Sequence, residues 1–169
     1  VAFLYNLLGL ILTGQKKLDE AMGYYEKGLK IDPNFAMIYN NLGLLFFNDG
    51  LNPNLKKAEN YYKKSISLNE KISEPHTNLG SLYHSINKHE EAIDCHKKAI
   101  LISPNFAYAY YNLGTVYASL GNFTEAKKYF SESIKLDPNF HLSHRTLSRL
   151  TRYTDTNEHF TELKKIYKR

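Results

Sequence analysis

The sequence predicts an all-α protein assembled from repeated helix pairs, and three observations carry that expectation. The string YNLLG ending at Gly9 returns as YNNLG, HTNLG and YYNLG ending at Gly43, Gly80 and Gly114, with spacings of 34, 37 and 34 residues. A second landmark, the alanine of DEA, KKA, EEA and TEA, falls at Ala21, Ala58, Ala92 and Ala126, spaced by 37, 34 and 34. Between these landmarks the apolar residues follow the helical period twice per unit, with a turn between the two runs. A pair of helices recurring at this length cannot bury its apolar stripe alone and must stack on its neighbours.

Taken in order, the copies occupy residues 2–35, 36–72, 73–106 and 107–140. The 37-residue spacings share one three-residue insertion, which must lie after Gly43 and before Ala58, in the text FNDGLNPN. The second copy also has Glu70 where its final proline is expected, and the third has His76 and His96 at aromatic core positions. The fourth copy is the clearest: AYAYYNLGTVYASL reads as one helix, GN as a turn and FTEAKKYFSESIKL as the second helix. DPN then ends it, because proline cannot continue a helix and Asp and Asn form turns.

The small residues have a packing reason. Glycine costs helix propensity, so Gly9, Gly43, Gly80 and Gly114 imply close helix approach. Ala21, Ala58, Ala92 and Ala126 serve the same purpose from the partner helix, with Gly28, Ser65, Ala99 and Ser133 one heptad later. Tyr25, Tyr62 and Phe130 are the expected aromatic knobs, joined by His96 in the third copy.

Residues 141–169 form a fifth, modified pair, read as a C-terminal cap. Its first helix keeps the register, with Ser148 at the glycine position and Leu147 beside it. Phe160 replaces the alanine and forces the second helix to dock differently. Asp155 and Glu158 read as a capping box, and Phe160, Leu163 and Tyr167 as an apolar stripe.

This signature resembles the tetratricopeptide repeat over residues 2–140, although the first aromatic position holds Tyr5, Tyr39, His76 and Tyr110 in place of tryptophan. The resemblance implies a right-handed superhelical solenoid whose first helices line a concave groove that binds peptides. On that reading the groove carries Asn41, Asn78 and Asn112, similar to the asparagine ladder of the O-GlcNAc transferase superhelix, together with Asn40, Thr77, His84, Tyr108 and Tyr111. Amide side chains both donate and accept, so they suit an extended peptide backbone. The alternatives are local bonding of the asparagines and packing of the tyrosines between helix pairs. Members that bind chaperone tails need a lysine-rich clamp, and no lysine stands at these positions, which disfavours that function.

Arg145, Arg149 and Arg152 are spaced i, i+4, i+7 and share the groove face of the fifth pair. Three guanidinium groups on one face suit a carboxylate, phosphate or sulfate, and a solvated basic stripe is the alternative. His141 and His144 could share a face, yet two ligands without a completing thiol or carboxylate pattern make no metal site. No metal or cofactor is expected.

The bulk properties narrow the class. The 169 residues are 43% apolar, enough to bury a core, and no apolar run could cross a bilayer. One cysteine, Cys95, excludes a disulfide framework, and with no secretory signal a cytoplasmic location is expected. The NFT string at Asn122 is then a chance match to a glycosylation acceptor. A net charge of +5 comes from interspersed signs, and the doublets Lys63–Lys64, Lys97–Lys98 and Lys127–Lys128 read as a solvated convex face, so nucleic acid is not the expected partner.

P-loop, dinucleotide-binding, HExxH and nucleophile-elbow strings are absent. The leading expectation is a non-enzymatic module that binds a protein or peptide, acidic where it meets the arginines. Self-association through the uncapped first pair is a further expectation. The start at Val1 reads as a fragment, and HRTLSRLTRYT with HFTEL resembles the segment joining such arrays to bacterial sulfotransferase domains. That resemblance implies a substrate-recruiting region of a larger sulfotransferase or glycosyltransferase.

Overall fold

The computed structural model describes residues 1–48 and 53–151. Every regular element among them is an α-helix, and the chain divides into two compact units, Val1–Lys88 and His89–Arg169. The first unit holds α1 (Ala2–Gly14), α2 (Leu18–Ile31), α3 (Ala36–Phe47), α4 (Leu55–Leu68) and α5 (Ser73–Ser85). The second holds α6 (His89–Ile102), α7 (Ala107–Ser119), α8 (Phe123–Leu136) and α9 (His141–Leu150).

Two kinds of turn connect these helices. Within a pair, the chain reverses through one left-handed residue, Lys16 at φ 61°, Asn87 at φ 62° or Gly121 at φ 76°. The following N–H then reaches back five residues, as in Lys17 N–H to Leu12 O at 3.0 Å and Asn122 N–H to Tyr117 O at 2.9 Å. This arrangement caps the last carbonyls of the first helix. Between pairs, the side chains of Asp32, Asn69 and Asp137 each accept the N–H two residues on, at 3.0 Å. The Asn69 turn forms without proline, which explains why Glu70 is tolerated. Asn122 caps α8 by accepting the Glu125 N–H at 3.3 Å, so the NFT asparagine has a structural role.

The glycines of the first helices make room for rings. A Cβ on Gly9 would stand 2.4 Å from Tyr25 Cε1, one on Gly43 2.6 Å from Tyr62 Cε1, and one on Gly114 2.8 Å from Phe130 Cε1. Tyr25, Tyr62 and Phe130 are wholly buried. The close approach is therefore between glycine and an aromatic ring, with the alanines packed beside it. Gly28, Ser65 and Ser133 act at the ends of the first helices. Gly28 receives Ile38 of the following α3, Ser65 donates to the Ala36 carbonyl at 2.7 Å, and Ser143 of the following α9 donates to Ser133 at 2.8 Å.

The first aromatic position also has a polar task. Tyr39 donates its hydroxyl to Pro33 O at 3.0 Å, and the ring nitrogens of His76 and His144 approach Glu70 O at 3.3 Å and Pro138 O at 2.9 Å. Each ties the start of a first helix to the turn six residues earlier. His144 is consequently buried while His141 is exposed, so the two do not converge on an exposed face.

Arg152 and the rest of the fifth pair, including Asp155, Glu158 and Phe160, lie outside the described residues, as does Asp49–Asn52 of the insertion.

Candidate peptide-interaction site

In the first unit, the first-helix face is built on a chain of amides. Asn78 of α5 donates its Nδ2 to Asn40 Oδ1 at 2.9 Å, Asn40 donates to Asn41 Oδ1 at 3.3 Å, and Asn41 donates to Asn6 Oδ1 at 2.8 Å. All three bonds run in the same direction, and they link α5 to α3 and α3 to α1. Asn6, Asn40 and Asn41 are 8%, 4% and 6% exposed, so these amides are interior groups that hold first helices together. Thr77, at the register of Asn6 and Asn40, is wholly buried. Asn78 and His84 are half-buried and keep an accessible surface.

Sequence reasoning missed Asn6. It followed the position two before the glycine, where the first copy has Leu7, whereas the acceptors Asn6 and Asn40 both lie three before it. That shared offset was the available signal.

The second unit presents a different surface. The Tyr108 and Tyr111 rings stack at 6.3 Å, and both meet Phe140 edge-on, at 6.3 and 5.5 Å. Tyr111 also leans on Phe130 at 5.8 Å, which anchors the cluster in the core. Tyr108 remains 39% exposed. Asn112 beside them is half-buried, and its Nδ2 makes no hydrogen bond among the described residues.

Phe140 leads directly into α9, where Arg145 and Arg149 stand one turn apart, both exposed. Neither forms an ion pair among the described residues. Three lysines of the second helices behave otherwise. Lys63–Glu59 at 2.6 Å, Lys128–Glu125 at 3.6 Å and Lys135–Glu132 at 2.6 Å lie within second helices, where local carboxylates offset the positive charge. The Lys63 hydrogen bond holds the Glu59 carboxyl below its ordinary value, and Tyr83 donates to the same Glu59 oxygen at 3.0 Å. Burial pushes the Tyr83 hydroxyl up.

Chemically, α7 and α9 offer apolar ring edges, tyrosine hydroxyls and two exposed guanidinium groups. Among the described residues no group of three or more His, Cys, Asp or Glu could hold a metal ion, and no helix is long and apolar enough to cross a membrane.

Comparison with known proteins agrees with this architecture. MamA, in crystal form, is 30% identical with a TM-score of 0.68, covering 84% of this chain and 81% of its own. The first TPR domain of Spaghetti, solved bound to an HSP90 peptide, has a TM-score of 0.62 at 23% identity over 68% of this chain and 89% of its own, a likeness of fold alone. An uncharacterised protein, ycf37 of Pyropia yezoensis, is 38% identical over 59 residues, which is 35% of this chain and only 32% of that relative's length. The tetratricopeptide repeat model matches residues 107–140, and a second model, described as TPR repeat, matches 9–50 and 80–121, more than half of the chain together. The chain belongs to the tetratricopeptide repeat family.

Proposed function

We propose that this chain is a non-enzymatic protein-interaction module whose first helices bind an extended, acidic segment of a partner protein. The observation that carries the reading is the exposed pair Arg145 and Arg149, without an ion pair among the described residues, following the Tyr108, Tyr111 and Phe140 cluster within one unit. Tyrosine supplies a broad contact at little entropic cost, and a guanidinium binds a carboxylate through two parallel hydrogen bonds. Family membership supports the coarser role, and the fold neighbour bound to an HSP90 peptide is one instance of a repeat domain holding a peptide.

The contacts assigned to the ligand are Tyr108, Tyr111, Arg145 and Arg149, with Asn112 beside them as a polar contact where its surface is open. Asn40, Asn41 and Thr77 shape the face from beneath without reaching a ligand, because they are buried.

Isothermal titration with a synthetic peptide rich in Glu and Phe tests the reading. The expected result is binding that weakens as salt rises and that falls at least about tenfold with Arg149→Glu, the equivalent of roughly 1.4 kcal/mol. Affinity that is flat with salt and unchanged by Arg149→Glu refutes it.

A further inference from the structure

The spacing of the basic contacts on α9 specifies the partner segment further. Arg145 and Arg149 stand four residues apart, and both are exposed. Four residues of helix advance about 6 Å along the axis and carry the side chain only about 40° past a full circle, so the two guanidinium groups form a row along the helix. The helix HLSHRTLSRL holds no Asp or Glu, whereas in α4 and α8 Glu59, Glu125 and Glu132 each meet a lysine. Like charges one turn apart repel, and α9 itself supplies no carboxylate to relieve them. The row lies beyond Phe140, the residue before α9, whose ring meets Tyr108 and Tyr111 edge-on at 6.3 and 5.5 Å. The surface is therefore ordered, with rings at the start of the helix and two cations following at a fixed step.

We infer that the partner segment lies extended along α9 and presents two acidic side chains at alternate positions, with an aromatic residue at the end nearer Phe140; this rests on the acidic-segment reading above. In an extended chain residues i and i+2 share one face and lie about 6.7 Å apart, which matches the arginine step to within about 1 Å. Adjacent acidic residues point to opposite faces, so only one of them meets the row. Residues i and i+3 also face opposite ways and stand about 10 Å apart. A segment crossing α9 would instead set one acidic group between both arginines, and the spacing of a second would not matter.

Amide chemical-shift titration of the full chain with four end-capped peptides of equal composition and charge tests the inference. Phe-Ser-Glu-Ser-Glu-Ser and its reverse, Ser-Glu-Ser-Glu-Ser-Phe, carry the alternating pattern in both chain directions. Phe-Ser-Ser-Glu-Glu-Ser and Phe-Ser-Glu-Ser-Ser-Glu carry the same residues at the wrong spacings. The better alternating peptide is expected to bind at least about fivefold more tightly than either control, the loss of one exposed carboxylate–guanidinium contact. Arg149→Gln, at an exposed position, should bring all four within about twofold of one another, because a single arginine is served by any spacing, and Arg145→Gln should do the same. Equal affinity for every spacing, or a preference that survives both variants, overturns the inference. If that equality comes with binding that still weakens in salt and with Arg149→Glu, the acidic-segment reading stands and the spacing alone fails. Absence of binding by all four peptides overturns both.

Discussion

Replacing Gly43 by alanine sets two opposing effects against each other inside the first unit. In an open helix interior the change stabilises by roughly 1 kcal/mol, because alanine loses less backbone entropy on folding. At Gly43 the added Cβ would stand 2.6 Å from Cδ1 and Cε1 of Tyr62 and 3.1 Å from its Cζ. Tyr62 is wholly buried, so its ring has no solvent to swing into. Forcing a methyl group into a packed core costs about 1–3 kcal/mol, and three ring atoms inside contact distance place this case in the upper part of that range. The expected net result is a loss of about 1–2 kcal/mol.

Gly23 of α2 is the matched control, because nothing lies within 4 Å of its added Cβ. Gly23→Ala should stabilise by roughly 0.5–1 kcal/mol. Urea denaturation followed by far-ultraviolet circular dichroism measures both. A third variant closes the argument: with Tyr62→Leu in place, the penalty of Gly43→Ala should shrink by about 1 kcal/mol or more, as contacting residues couple. A steric role for Gly43 is ruled out if Gly43→Ala matches or exceeds the unaltered chain, or if both glycine variants shift the midpoint in the same direction.

Asn41→Ala leaves Asn6 Oδ1 without its donor and Asn40 Nδ2 without its acceptor, so a loss of about 1–3 kcal/mol is expected in the same urea assay, more than for alanine at exposed Asn48. Glu59 has a folded pKa below its ordinary value of 4.5, so its contribution is present above that pH and is lost as pH falls through the folded value. Glu59→Gln should therefore flatten the acid side of the thermal-stability profile and cost only about 0.3–0.5 kcal/mol at neutral pH, because Lys63 is largely exposed. An acid limb of unchanged depth in that variant would count against the assignment.

Much of the fold was legible because each repeat carries its own punctuation. The fourth copy is the plainest case: α7 and α8 occupy Ala107–Ser119 and Phe123–Leu136, against a reading of AYAYYNLGTVYASL and FTEAKKYFSESIKL. The GN turn and the DPN stop bound those helices locally, so no tertiary information was needed. The interior of the face was harder. Asn41 reaches Asn6 across 35 residues, and Asn78 reaches Asn40 across 38, through contacts between neighbouring repeats that no local pattern encodes. Reading the asparagines as ligand contacts followed their residue type and register, whereas burial decides which of them can meet a partner. His144 shows the reverse case. Its register, four before Ser148, already matched Tyr39 and His76, and the turn-binding role follows from that position. The arginines depended least on the fold, since i, i+4 spacing alone places Arg145 and Arg149 on one face of α9.

The claim that the faces of α7 and α9 receive an acidic partner segment is tested most directly by amide chemical-shift mapping while a peptide rich in Glu and Phe is added to the full chain. Saturable shifts are expected at Tyr108, Tyr111, Arg145 and Arg149, weakened by salt and removed by Arg149→Glu. Shifts confined to Lys127, Lys128 and Glu132 on the second helix α8, or none at all, would contradict it.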